Sequence, residues 1–131
     1  MVKRTSPSVD GPSKRLPLSD VVQAGDLLFV SGIAAWDAAA GAPAVEGIEA
    51  QTKFVLERIK AILESKASSL DNVVKMTVYL TDRGDFQPMN RVYREYFPGR
   101  PPARATVGVV LMEPGLLVEI DAVALAGTAG A

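Results

Sequence analysis

A chain of 131 residues, 48% of them hydrophobic, is long enough for one domain with a real core, too short for two, and too apolar to be disordered. Its 14 basic and 15 acidic side chains leave a net charge of −1, which creates no general field for phosphate backbones, so nucleic acid is not an expected partner. The absence of both cysteine and histidine excludes disulfides, thiolate nucleophiles, histidine acid–base chemistry and Cys- or His-ligated metals, leaving carboxylates, Arg, Lys, hydroxyls, backbone dipoles and water, with no cofactor implied.

The first residues mix Lys, Arg, Ser and Pro and read as a tail over 1–15, with room for a short edge strand. No apolar h-region follows the basic start, so no signal peptide is read and the cytoplasm is the expected compartment. Val21-Val22-Gln23 and Leu27-Leu28-Phe29-Val30 flank Ala24-Gly25-Asp26, which predicts a hairpin closed by Ser31-Gly32. Ala34 to Ala44, broken by Gly41 and Pro43, reads as a loop that holds Trp36, the only tryptophan.

From Ile48 to Ser65 the pattern becomes helical. Ile48, Thr52, Val55, Ile59 and Ile62 form one stripe, widened by Leu56 and Leu63, with Glu49–Lys53 and Lys60–Glu64 as i,i+4 pairs opposite it. Val74, Met76, Val78 and Leu80 then alternate with Lys75, Thr77 and Tyr79, a half-buried strand. Asp85 is placed to cap a second helix, with Pro88 in its first turn and Phe86, Met89, Tyr93 and Tyr96/Phe97 as its stripe. Pro98-Gly99 ends it. Ala105–Leu111 and Leu116–Leu125 read as strands joined by a turn at Met112-Glu113-Pro114-Gly115. The order ββ-α-β-α-ββ predicts one mixed sheet with two helices on one face, a single domain over 16–126 and a frayed tail over 127–131. No apolar run approaches the ~20 residues of a membrane-crossing helix, so no membrane is expected.

Two charges stand where the pattern does not want them. Arg104 follows the rigid Pro101-Pro102 and opens an apolar strand, and a guanidinium in that setting needs an anion. Glu119 interrupts Leu116-Leu117-Val118-Glu119-Ile120. If the last two strands form a hairpin about Glu113-Pro114, Arg104 and Glu119 come close to facing each other. The pattern then admits three readings: a buried ion pair, a charge at a sheet edge, or an arginine that grips a ligand carboxylate while the glutamate orients water. Asn90 interrupts the stripe of the second helix with an amide that can cap, face solvent or bond a ligand, solvent being the default, and Lys14-Arg15 and Arg91/Arg94 read as solvated charges too sparse for a nucleic-acid footprint.

Pro102-Ala103-Arg104-Ala105-Thr106-Val107 and Leu116-Leu117-Val118-Glu119-Ile120 are similar to the C-terminal signature of the Rid (reactive intermediate deaminase, YjgF) family. Further matches are Ser19-Asp20 with Val22 and Gly25, Leu28–Gly32, Val73–Leu80, and Asp85-Phe86 with Met89-Asn90-Val92-Tyr93, so the likeness spans roughly residues 16–125. The resemblance implies a chorismate-mutase-like α/β fold, a homotrimer with sites between subunits, and cofactor-free hydrolysis of 2-imino or enamino acids such as 2-aminoacrylate to 2-keto acids and ammonia. It implies that Arg104 binds the substrate carboxylate, that Glu119 positions or activates water, and that Asn90, the Ser31-Gly32 backbone and the backbone at Thr106 line the pocket.

The chain departs from the deaminase pattern at Leu18, where the family carries Tyr, at Thr106 in place of Cys, and at Ile33 in place of Gln, all expected near the substrate. The apolar Leu18 and Ile33 keep open a non-enzymatic trimeric module that binds small carboxylates. An endoribonuclease, an activity attributed to some members of the family, is disfavoured by the charge and the lack of histidine.

Overall fold

The computed structural model describes residues 2–5 and 16–127; Lys14-Arg15 and the last four residues of the C-terminal tail lie outside the described residues. Val21–Ala24 (β2) and Leu27–Ala34 (β3) form the expected hairpin. Gly25 turns it at a φ of 60°, a left-handed conformation that suits glycine. Val2–Thr5 (β1) pairs antiparallel with β2, so the sheet includes residues that the sequence assigns to the tail.

The segment read as a loop from Ala34 to Ala44 is more ordered than expected. Trp36–Asp37 (β4) and Ala42–Pro43 (β5) make a two-stranded ribbon of their own. Its turn is built by Asp37, whose Oδ1 accepts from the backbone N–H groups of Ala39 and Ala40 at 3.0 and 3.1 Å. Breakers alone misread this stretch, because the aspartate supplies the turn chemistry locally.

Ile48–Ser65 (α1) matches the periodicity, and its stripe of Thr52, Val55, Leu56, Ile59, Ile62 and Leu63 is buried. Lys60 pairs with Glu64 at 3.2 Å as expected. Glu49 instead reaches across to Arg91 at 3.1 Å, because the second helix lies alongside α1. Gln51, which the stripe does not announce, is fully buried. Its amide donates to the carbonyls of Val45 and Gly115 and accepts from the Leu117 N–H at 2.8 Å, stitching two loops to the helix.

Val73–Leu80 (β6) buries Met76, Val78 and Leu80 as expected, but Val74 is exposed. A bulge between Val73 and Lys75 reverses the alternation there. Phe86–Tyr96 (α2) follows a short 3₁₀ turn, Arg83–Asp85, and the cap comes from Asp82, whose side chain accepts from Gly84 N–H at 2.7 Å; Asp85 makes no side-chain cap bond. Ala103–Gly108 (β7) and Val118–Leu125 (β8) complete a six-stranded mixed sheet in the order β1-β2-β3-β8-β6-β7.

That order overturns the expected terminal hairpin. β7 pairs parallel with β6, and β8 pairs antiparallel with β6 on its other side, so β6 separates the two strands. The connection from Val109 to Leu117 is therefore a crossover and not a tight turn. Both helices cover one face, where Leu28, Leu56, Leu63, Met76, Met89 and Ile120 build the core. Among the described residues nothing covers the other face, on which Phe29 and Val107 are each 43% exposed. No helix among the described residues is long and apolar enough to cross a membrane.

Replacing Gln51 with Leu keeps the volume but leaves the three backbone groups without their partner, and is expected to lower the unfolding free energy by about 2 kcal/mol in urea titration. An unchanged midpoint would show that the amide does not hold the loops.

Candidate active site

Pro101-Pro102 delivers the chain to β7 in an extended form, and Arg104 is its second residue. Arg104 lies opposite Met76, whose side chain is in the core, so the guanidinium is directed to the helix-covered face. There it stacks on α2, with its Cζ 4.7 Å from the centroid of the Tyr93 ring and 5.9 Å from that of Phe86. Two aromatic faces offer a cation a favourable place to rest without neutralising it. Among the described residues Arg104 forms no ion pair; the three present join Arg58 to Asp20, Lys60 to Glu64 and Arg91 to Glu49.

A cleft of about 290 Å³ opens beside the guanidinium, lined by Asn90, Tyr93, Arg94, Phe97, Pro101, Pro102 and Arg104. Asn90 is thus a cleft residue and not a plain solvent-facing one, and Arg94 also borders the cleft. The Tyr93 hydroxyl is buried without a hydrogen-bond partner among the described residues. Burial pushes its pKa up, and the nearby Arg104 charge opposes that push. Thr106, two residues along the same face of β7, lines a neighbouring cleft of about 340 Å³ with Leu80, Arg83, Phe86, Val107 and Gly108.

Glu119 belongs to a different environment. It lies opposite Tyr79 on β6 and Ala34 on β3, between the buried Val118 and Ile120, so it projects from the uncovered face. β3 bulges between Val30 and Ile33, so that Ser31 and Gly32 share the space opposite Asp121. A Cβ on Gly32 would collide with Glu119 Oε2, so glycine is what lets the carboxylate lie over this bulge. Ser31 Oγ donates to the Ser19 carbonyl and Ser31 N–H to the Asp20 carbonyl at 2.9 Å, which fixes the approach of Leu18, 44% exposed. Desolvation, and then the charge of Asp121, raise the Glu119 pKa above the ordinary carboxylate value. Asp121 itself accepts from the Tyr79 hydroxyl at 2.8 Å.

The sequence-derived residues therefore fall into two groups. Arg104, Asn90 and Thr106 cluster at the β7 edge on the helix side; Leu18, Ser31, Gly32 and Glu119 gather about the β3 bulge and the open face. Arg104 and Glu119 do not pair, because β6 lies between their strands and their registers, Met76↔Arg104 and Tyr79↔Glu119, differ by an odd number of residues and so put them on opposite faces. Ile33 packs against the core beside Ile120 and does not reach Glu119. Tyr93, Phe86 and Arg94 are the site residues that sequence reasoning missed as such. The helical spacing of Phe86 and Tyr93 was visible, but not that their rings cover a cation. No three Asp or Glu side chains gather to hold a metal among the described residues.

A carboxyl whose pKa is raised by folding costs nothing while protonated and weakens the fold once the pH climbs through its folded value. Glu119→Gln removes that cost. It is expected to melt at a higher temperature than wild type at pH 7, with the difference closing as the pH falls below the ordinary carboxylate value of about 4. Identical melting curves across that range would contradict the desolvated placement of Glu119.

Comparison with known proteins identifies the family. The family model described as "Endoribonuclease L-PSP" matches residues 10–126. A RutC family protein of Pyrococcus horikoshii is 45% identical over 108 residues, covering 82% of this chain and 86% of that protein. A mouse protein named 2-iminobutanoate/2-iminopropanoate deaminase is 32% identical over 127 residues, covering 97% of this chain and 94% of the relative. The crystal structure of a YjgF family member from Neisseria meningitidis superposes with a TM-score of 0.79 at 30% identity, covering 95% of this chain and 94% of that one. The match runs from before β2 to the end of β8, and the chain belongs to the Rid/YjgF family.

Proposed function

We propose that this protein hydrolyses 2-imino and 2-enamino acids to 2-keto acids and ammonia, in sites shared between copies of a homotrimer. The observation that carries the reading is the state of Arg104: a guanidinium stacked on two rings, bordering a cleft, with no carboxylate of its own among the described residues. A charge held this way has its donor edge available for a ligand carboxylate. The mouse relative, named as a 2-iminobutanoate/2-iminopropanoate deaminase, supports the same class of substrate.

The chemistry asks little of the protein. An imine carbon is already electrophilic, so catalysis consists of holding the carboxylate, orienting one water and moving protons. Arg104 binds the carboxylate. Glu119, with its pKa raised toward the working pH, takes a proton from water as the oxygen attacks C2. That proton passes to the nitrogen to give a carbinolamine; its hydroxyl proton then follows the same route through Glu119 to the nitrogen, so the C–N bond breaks as the carbonyl forms and ammonia leaves. An enamine reaches this path after protonation at C3 to the imine.

One chain presents Arg104 and Glu119 on opposite faces of its sheet, so both act on one substrate only when two copies meet. The uncovered sheet face with Phe29, Val107 and Val74 is a surface suited to that assembly. RNA cleavage is poorly served by a net charge of −1 and no histidine.

The test follows keto acid release when 2-iminobutanoate or 2-aminoacrylate is generated in situ. Wild type is expected to accelerate release, and Arg104→Ala to lose at least about 100-fold in kcat/KM, the cost of a charge-assisted bidentate contact. Equal rates for wild type and Arg104→Ala would overturn the reading. Tight binding of keto acids without turnover would point instead to a carboxylate-binding module.

A further inference from the structure

The cleft beside Arg104 holds more positive charge than one carboxylate can answer. Arg94 sits one helical turn beyond Asn90 on α2, and both border the space that Arg104 enters. Like Arg104, Arg94 forms no ion pair among the described residues, whereas Arg91 on the same helix is joined to Glu49. Among the described residues no acidic side chain lines this cleft. The polar side chains of its lining are those of Arg94, Arg104 and Asn90, with the Tyr93 ring behind them. A lining so rich in donors, with two positive charges, matches a ligand with two anionic groups.

The alternative direction for a substrate side chain is the cleft at Thr106, which Leu80, Phe86 and Val107 make largely apolar. Arg83 stands in that lining, but Arg104 does not border it. The cleft of about 290 Å³ is therefore the one in which a second charge lies in direct continuity with the first.

We propose, resting on the imine-hydrolase reading, that the preferred substrates are 2-imino dicarboxylic acids, with the carboxylate next to the imine on Arg104 and the distal one held by Arg94 and Asn90. Arg94 is then a specificity-determining residue. An uncharged residue at that position would leave a site for monocarboxylic imino acids only.

The experiment is calorimetric titration of the full-length protein in its native assembly with 2-oxoglutarate and 2-oxobutanoate, which stand in for the diacid and monoacid products. Wild type is expected to bind the diacid about fivefold more tightly, the upper worth of one further partly screened ion pair. Arg94→Gln is expected to remove that preference while weakening the monoacid by no more than about twofold. Equal affinity for both acids in wild type, or equal weakening of both by Arg94→Gln, would overturn the proposal. So would loss of the preference in Arg83→Gln with Arg94→Gln like wild type, which would move the second carboxylate to the Thr106 cleft. Arg104→Ala separates the two levels. If it weakens neither acid, the carboxylate site itself is wrong; if it weakens both while Arg94→Gln changes nothing, only the diacid preference fails.

Discussion

β6 runs between β7 and β8, and the rest of the site follows from that placement. Because Met76 faces Arg104 and Tyr79 faces Glu119, the period of two along β6 sends the arginine to the helix side and the glutamate to the open side. A hairpin between the last two strands would have let the two charges approach and neutralise each other. The inserted strand keeps them apart, and each then has to find its own environment. Arg104 finds the rings of Tyr93 and Phe86; Glu119 finds the gap that Gly32 leaves at the β3 bulge.

These two environments prepare opposite electrostatic states. Stacking holds a guanidinium without quenching it, so its attraction for an anion is retained. Partial burial beside Asp121 makes the Glu119 carboxylate a better base than an exposed one. Both conditions have a cost to the isolated fold: an unpaired cation, an unsatisfied Tyr93 hydroxyl and a desolvated carboxyl. Such costs concentrate where a protein works, and here two of the three fall on residues that the family resemblance singles out, Arg104 and Glu119.

Much of the scaffold was legible in the sequence. The 3.6-residue stripe gave the limits of α1, Gly25 marked the first hairpin, and alternation marked β6 from Met76 onward. What escaped were partnerships between distant residues. Strand pairing is non-local, so a Glu-Pro-Gly turn after β7 suggested a hairpin that the sheet does not make. Periodicity does not announce the bulge that exposes Val74, and Gln51 meets Gly115 and Leu117 across more than 60 residues. The oddity of Arg104 and Glu119 was visible from their apolar surroundings alone. Whether they paired was not, because it depends on which strand lies between them.

In the proposed mechanism a working site needs Arg104 from one copy and Glu119 from another. Arg104→Ala and Glu119→Ala proteins, each inactive alone, should be unfolded together, refolded as mixed assemblies and assayed for keto acid release. Random mixing in a ring with one site at each interface restores about one quarter of the wild-type sites, since each needs an intact arginine on one side and an intact glutamate on the other. Recovery near that level is the expected result. Mixed assemblies, verified as such, that stay as inactive as either parent would contradict the shared site.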